Sequence, residues 1–328
     1  MSKVYNWGII APGKIAHKFA QGLAVIKNAR LHAVASRSEE RAKAFAEAYG
    51  AGHYYGSYEA ITDCPDLDVV YIASPHAFHC EHTLLCLQKK IPVLCEKPFA
   101  INADEVRQMM QIAQENQTFL MEALWTRFLP TTLKALELIQ DGSLGEVHGI
   151  KADFGFRAPF NPEGRLYNPA LGGGSLLDIG IYPAFLSQLI LGKPTAIKAT
   201  AKLSATQVDE ECAAIFEYEG GKIAQIHSTL RCRTKTEAFI YGEKGAIHIH
   251  TRWHEPTTMS LLLEGERPQD FRFDFSGNGY NYQAVEVMKC LDQGKLESPL
   301  WPLQSSLDLI SLLDDIRSQI GVGYPNDQ

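Results

Sequence analysis

The turn Ala11-Pro12-Gly13-Lys14-Ile15-Ala16 follows a short apolar run, VYNWGIIA, and opens a segment with Ile15, Phe19 and Leu23 at helical spacing. Strand, tight turn and helix in that order aim backbone amides at a phosphate. Gly13 admits close approach of a pyrophosphate, the N–H groups of Gly13, Lys14 and Ile15 face it, and Pro12, having no N–H, only shapes the turn. This is a degenerate G-x-G-x-x-G: Ala11 and Ala16 take the first and third glycine places, where a methyl crowds the turn or the helix packing. The next strand-like run, LHAVAS, ends at Ser36-Arg37, where an acid would hold an adenosine ribose 2′-hydroxyl. Ser36, Arg37 and Arg41 instead suit a 2′-phosphate, so NADP is favoured and NAD remains possible. The bland alternative pairs Arg37 and Arg41 with Glu39 or Glu40. Lys97 closes a further apolar run, IPVLCEK, and a lysine at the carboxyl end of a parallel strand lies where α/β sheets bind ligands.

The elements that must position these groups alternate. DVVYIAS, IPVLCEKP and TFLMEA are strand-like without polar alternation, and they are separated by the helical stretches SEERAKAFAEAY, PHAFHCEHTLLCLQKK and NADEVRQMMQIAQENQ. Ser38 suits the N-cap of the first of these helices, with Glu39 and Glu40 in its first turn. The pattern predicts an α/β fold with a doubly wound parallel sheet of Rossmann type over residues 1–123. From 124 to 328 strands follow strands: VHGIKADFGF, AIKATAKLS, CAAIFEYEGGKIAQIHSTL with a hairpin at Gly220-Gly221, EAFIYGEKGAIHIHT and TMSLLLEG. That predicts an α+β domain with a large, mostly antiparallel sheet, covered on one face by helices at 177–191 and 281–293 and open on the other. Leu303, Leu307, Ile310, Leu313, Ile316 and Ile320 predict a final docked helix capped by Gly321. No repeats or low-complexity linkers interrupt the chain, so a cleft between the two domains is the expected active site. Phe154, Phe156 and Arg157 leave a strand-like segment as either an apolar wall for a ring-shaped substrate or part of the core.

Taken with WGIIAPGKIA, SPHAFHCEHTLLCL, WTRFLP and above all GGGSLLDIGIY (172–182), the segment Cys95-Glu96-Lys97-Pro98 resembles the Gfo/Idh/MocA oxidoreductases. The match runs from residue 4 almost to the C-terminus. Tyr182 at the end of the glycine motif, His76, WTRFLP and the tail ESPLWPLQSSLDLISLLDDIRSQIGVGYP are similar to the branch of dimeric dihydrodiol dehydrogenases and NADP-dependent D-xylose dehydrogenases. Members of that branch oxidise trans-dihydrodiols of arenes and D-xylose. The resemblance implies a Rossmann domain followed by an α/β sheet domain whose free face makes a homodimer. It also implies a catalytic cluster of Lys97, Asp178 and Tyr182, cofactor contacts from Ser74, His76, His79, Glu96, Lys97, Trp125 and Arg127, and substrate contacts from Trp125, Phe154, Phe156, Arg157, Asp178 and Tyr182. Elementary chemistry agrees: oxidising an alcohol needs a base for the hydroxyl proton, and a tyrosine of pKa ~10 serves only beside a cation such as Lys97. The reverse assignment, Lys97 as base and Tyr182 as hydrogen-bond donor, is equally open. So are plain structural roles, with Asp178 bonding the glycine turn, Tyr182 packed, and His76 and His79 capping a helix.

Composition sets the outer bounds. The chain has 328 residues, 45% of them apolar, which makes about two domains at ~150 residues each. A net charge of −7 without basic blocks offers no footprint for nucleic acid or an anionic membrane, so small-molecule polyols are the expected partners. Seven scattered cysteines with no C-x-x-C, and a first segment MSKVYNWGII with no basic-then-apolar leader or later membrane-length apolar run, predict a cytoplasmic protein. His76, His79 and His82 spread around a helix, and of His248, His250 and His254 the first two alternate on a strand face, where surface histidines are common, so no metal is expected. The expected activity is hydride transfer between a cyclic polyol and NAD(P). The alternatives are a dehydrogenase for another sugar or inositol, a non-catalytic dinucleotide-binding sensor, and a glycosidase cycling a tightly held cofactor.

Overall fold

The computed structural model describes residues 3–327, so Met1, Ser2 and Gln328, which include the outer ends of both expected domains and the start of MSKVYNWGII, lie outside the described residues. Two compact units emerge. The first comprises Met1–Phe128 and Ser276–Leu307, the second Leu129–Phe275 and Asp308–Gln328.

The first unit alternates as the sequence predicts: β1 (Tyr5–Ile10), α1 (Lys14–Leu23), β2 (Ala29–Ala35), α2 (Glu39–Tyr49), β3 (His53–Tyr55), β4 (Val69–Ile72), α3 (His79–Gln88), β5 (Val93–Glu96), α4 (Ala103–Glu115) and β6 (Leu120–Ala123). The sheet is parallel, in the order β3-β2-β1-β4-β5-β6, which is Rossmann-like. Every residue of β1, β4, β5 and β6 is buried, as strands covered on both faces must be. Phe19 of α1 packs 5.2 Å from Trp7 and stacks on Tyr71 at 3.8 Å. Burying such side chains is worth about 1.5–3 kcal/mol each, and it fixes where the N-terminus of α1 points. The Ser38 hydroxyl caps α2 by accepting from the Arg41 N–H, and Gly50 ends that helix at φ +72°.

The second unit contains α5 (Pro130–Gln140), β7 (Val147–Gly155), α6 (Ile181–Leu191), β8 (Ala196–Leu203), β9 (Asp209–Glu217), β10 (Ile223–Thr229), β11 (Ala238–Gly242), β12 (Gly245–Ile249), β13 (Met259–Leu263) and β14 (Gln269–Phe271). Its sheet runs β14-β13-β12-β11-β7-β10-β9-β8. Only β7 and β10 pair in parallel; the other neighbours are antiparallel. Helix α6 packs on β7 and β10. The helical run Pro169–Leu191 is long and apolar enough to cross a membrane by composition, contrary to the sequence expectation that no such run exists, but 78% of its apolar window is buried within the structure. Beside Lys151, Lys198, Ile215, Gln225 and His227 the sheet holds a trough of ≈ 720 Å³.

One expected cover is displaced. Helix α7 (Tyr280–Asp292), assigned from sequence to the antiparallel sheet, belongs to the first unit and packs on α1 and on the 125–128 turn. The Tyr5 hydroxyl donates to Asp292 at 2.6 Å, the Asn278 amide donates to the Lys18 carbonyl at 2.8 Å, and Gly22 gives α1 the room to lie against residues 278–281. The units therefore depart from a single cut at 123/124. The chain leaves the second unit at 275/276 and re-enters it within α8 (Leu303–Ile320). Gly321 at φ +73° stops that helix, with the Val322 N–H donating to the Arg317 carbonyl. In the second unit the Gln319 amide bonds the Ala199 N–H and the Ile197 carbonyl, which closes part of edge strand β8.

Candidate active site

At the carboxyl edge of the parallel sheet, Gly13 begins α1 with no side-chain cap. The Gly13 N–H is already used, donating to the Ala11 carbonyl at 2.8 Å, so the expectation that it faces a phosphate is corrected. The amides of Lys14 and Ile15 remain in the first turn for that purpose. A Cβ on Gly13 would meet nothing nearer than the Ala11 carbonyl at 3.9 Å, which leaves space for a close ligand. Ala11 takes φ +65°, a conformation glycine adopts at lower cost, and the methyl of Ala16 is fully buried. Arg37 and Arg41 are exposed and join no ion pair among the described residues, because Glu40 accepts from the Ser38 hydroxyl instead. At the end of β4 the buried Ser74 hydroxyl has no hydrogen-bond partner among the described residues. An uncapped helix start, an open glycine, free guanidinium groups and an orphaned hydroxyl fit a dinucleotide.

Lys97 follows β5 directly, and the segment behind it is anchored on two sides. His79 is fully buried, with Nδ1 2.7 Å from the Pro98 carbonyl and Nε2 2.9 Å from the Ser74 carbonyl. Two carbonyl acceptors favour a doubly protonated ring, yet burial outweighs them and pushes its pKa down to about 4. Glu122 of β6 accepts from the Phe99 N–H at 3.1 Å and the Trp301 indole N–H at 3.2 Å. Buried Glu96 accepts from the Tyr71 hydroxyl. His76 is buried edge-on to His79 at 5.7 Å, and Trp125 stacks on Tyr280 at 4.3 Å. Arg127, expected at the cofactor, donates Nε to the Leu300 carbonyl and so braces the chain beyond α7.

Burial raises the Glu122 carboxyl from its ordinary 4.5 to about 7, partly offset by the hydrogen bonds from Ser306, Trp301 and Phe99. Between those two pH values the folded protein keeps a proton that the unfolded chain gives up, so this group's contribution to stability is full below about 4.5 and is lost as pH rises through 7. Thermal melts from pH 5 to 8 should show that loss in the parent protein, and Glu122→Gln should flatten it. Parallel pH profiles for the two proteins would exclude the assignment.

In the second unit, GGGSLLDIGIY forms a single π turn, Leu176–Gly180, leading straight into α6, and such turns recur at functional sites. It is held from below by Asp209 at the start of β9, which accepts from the Ser175 hydroxyl at 2.6 Å and the Leu176 N–H at 2.7 Å. Burial raises that carboxyl to about 6. Asp178 is buried, and its carboxylate pairs with Arg165 through contacts of 2.8 and 3.4 Å. Tyr182, also buried, lies in the first turn of α6 with its ring 5.8 Å from Phe154 and 5.1 Å from His254. His254 is 5% exposed, stacks on Phe154 at 4.0 Å, and its Nε2 is 3.5 Å from Glu255. Phe154 and Phe156 are half-buried neighbours, 6.3 Å apart, and Arg157 is exposed. Arg165, Asp209 and His254 carried no sequence signal as site residues, since each is defined by a partner distant along the chain.

The profile of the "Oxidoreductase family, NAD-binding Rossmann fold" (GFO_IDH_MocA) matches residues 5–124, and that of the "GFO/IDH/MocA C-terminal domain" matches 132–248. Trans-1,2-dihydrobenzene-1,2-diol dehydrogenase of Mus musculus is 36% identical over 335 residues, covering 98% of this chain and 99% of the relative. This chain belongs to the Gfo/Idh/MocA oxidoreductase family. The dehydrogenase of the same name from Xenopus tropicalis is 35% identical over 334 residues, covering 98% of this oxidoreductase and 99% of the relative. The crystal structure of aldose-aldose oxidoreductase from Caulobacter crescentus, complexed with glycerol, superposes with a TM-score of 0.88 at 25% identity, covering 97% of each chain. The Gfo/Idh/MocA match thus brings the NAD-binding fold to the unit that carries Gly13, Ser74 and Lys97.

Proposed function

We propose that this oxidoreductase is an NADP-dependent dehydrogenase that oxidises a ring hydroxyl of a cyclic polyol, either a trans-dihydrodiol or an aldose such as D-xylose. The observation that carries the reading is Tyr182, buried beside the rings of Phe154 and His254 in the first turn of α6, directly after the π turn whose Asp178 pairs with Arg165. Similarity over the whole chain to relatives named for diol oxidation supports it. Bound nicotinamide supplies the hydride acceptor. Tyr182 Oη takes the proton of the reacting hydroxyl. Asp178, oriented by Arg165, accepts from a neighbouring substrate hydroxyl, while Phe154 and Phe156 cover an apolar ring face. Nicotinamide absorbance with NADP+ and with NAD+, against trans-dihydrodiols, D-xylose, other aldoses and inositols, tests the reading. Reduction of NADP+ by a diol or an aldose supports it, and tight cofactor binding without reduction by any of them contradicts it.

Cofactor choice is assigned to Ser36, Arg37 and Arg41. Arg37→Ala should raise KM for NADP+ about 10-fold or more, the worth of a charge-assisted hydrogen bond, and leave KM for NAD+ within about twofold. Equal shifts for both cofactors would contradict the assignment. The open sheet face is proposed as the surface of a homodimer, since Ile215 and Ile223 stand 42% and 43% exposed there. Ile215→Glu should convert a dimer into a monomer by light scattering after gel filtration, and a monomeric parent protein would contradict the proposal. The seven cysteines are all free and six are buried, which supports a reducing, cytoplasmic location.

A further inference from the structure

We propose that His32, His53 and Cys64 form a binding site for a borderline-soft divalent cation, with Zn²⁺ the best match. One ligand atom from each residue lies within 4.8 Å of the other two, and the imidazole rings are 4.7 Å apart at 60°. Two imidazoles and a thiolate are the donor set that zinc takes in preference to magnesium or calcium. Tetrahedral zinc with its usual bond lengths holds ligand atoms about 3.4 Å apart, so the three side chains need to draw in by no more than roughly 1.5 Å.

The backbone is shaped for this grouping. Along β1 and β2 the register passes from Trp7↔Leu31 to Gly8↔Ala33, so His32 is the extra residue of a β-bulge, a device that re-aims a side chain. His53 opens the edge strand β3, and Cys64 lies ahead of β4. The His32 Nε2 is 2.9 Å from the Pro65 carbonyl. A carbonyl only accepts, so Nε2 carries the proton and Nδ1 carries the lone pair, which is how a metal-binding histidine is commonly oriented. The Cys64 thiol donates to the same Pro65 carbonyl at 3.6 Å, so both side chains turn about one acceptor. With three protein ligands the fourth position goes to water or to a small anion.

His53 is the first residue of β3 and Cys64 precedes β4, whereas Ala11, Ser36, Ser74 and Lys97 follow the carboxyl ends of their strands. The cluster therefore lies on the amino-terminal side of the nucleotide edge, and metal binding should stabilise the first unit without entering the reaction. A second group, Glu146, His148 and Glu243, is wholly exposed, lacks sulfur and serves as a control.

The test is titration of the full-length protein with Co²⁺, followed by Zn²⁺ as competitor. Expected is a near-ultraviolet thiolate-to-cobalt charge-transfer band that saturates at one ion per chain and is abolished by Zn²⁺. Cys64→Ser should remove the band, and His53→Gln, at a half-buried edge position, should weaken Co²⁺ binding at least 10-fold. Cys232→Ser, at the exposed cysteine, and His148→Ala should leave the band unchanged. Zn²⁺ should raise Tm by several degrees in the parent protein but not in His53→Gln. No band in the parent protein, or a band and Tm shift that persist in His53→Gln, overturns the proposal. The dehydrogenase assay is untouched by either result.

Discussion

Tyr182→Phe is expected to lower kcat by about 10²- to 10⁴-fold, the usual worth of a positioned proton-transfer group, while NADP affinity stays within about twofold. The substitution removes one oxygen and keeps the ring that packs, tilted, beside the stacked pair of Phe154 and His254, so the fold around α6 should persist. Steady-state kinetics with fluorescence titration of NADPH separate the two effects. A parallel loss of cofactor binding would mean that Tyr182 holds the cofactor or the fold instead of moving a proton. Near-full activity would pass the proton to Lys97.

Gly174→Ala is expected to damage the second unit and the turn that carries Asp178. Gly174 sits at φ +118°, where a Cβ is strained, and that Cβ would lie 2.4 Å from Oδ1 of the buried Asp209. The carboxylate would have to swing off the Ser175 hydroxyl and the Leu176 N–H, the two bonds that hold the π turn below Asp178 and Tyr182. Strained backbone together with a disrupted buried carboxylate costs on the order of 3 kcal/mol or more, a fall in Tm of roughly 6–12 °C for a unit of this size. Turnover should fall with it even well below Tm, because the turn carries Asp178. A variant melting within about 2 °C of the parent protein would show that the turn tolerates a side chain.

The parallel sheet was legible because buried parallel strands read as unbroken apolar runs, and the Ser38 cap and Gly50 stop of α2 are local signals. The phosphate turn was legible in type but not in detail. Nothing in Ala11-Pro12-Gly13 announces that the Gly13 N–H closes onto the Ala11 carbonyl, since that depends on Ala11 entering the left-handed region. Helix α7 was found by periodicity yet assigned to the wrong sheet: helical spacing reveals an apolar face but not which surface will cover it. The supports of the π turn at 176–180 leave no mark in the sequence for a related reason. Asp209 meets Ser175 across 34 residues of chain, and Arg165 reaches Asp178 from an irregular loop, so neither pairing leaves a spacing to read. His254 lies outside the alternation that puts His248 and His250 on a strand face, so no spacing in the sequence marks it for the site. It follows the end of β12 and turns its ring onto Phe154.

The central claim is that this oxidoreductase moves hydride from a ring carbon of a polyol to NADP+. The most direct measurement is isotope transfer: D-xylose deuterated at C1, or a trans-dihydrodiol deuterated at its carbinol carbons, incubated with NADP+ and the purified protein, with the nicotinamide recovered for mass spectrometry. The account predicts one deuterium in the reduced nicotinamide with at least one of these substrates, and none with Tyr182→Phe over the same interval. Oxidised or hydrolysed product without deuterium in the nicotinamide, or no turnover of either substrate by a protein that binds NADP+, would contradict it.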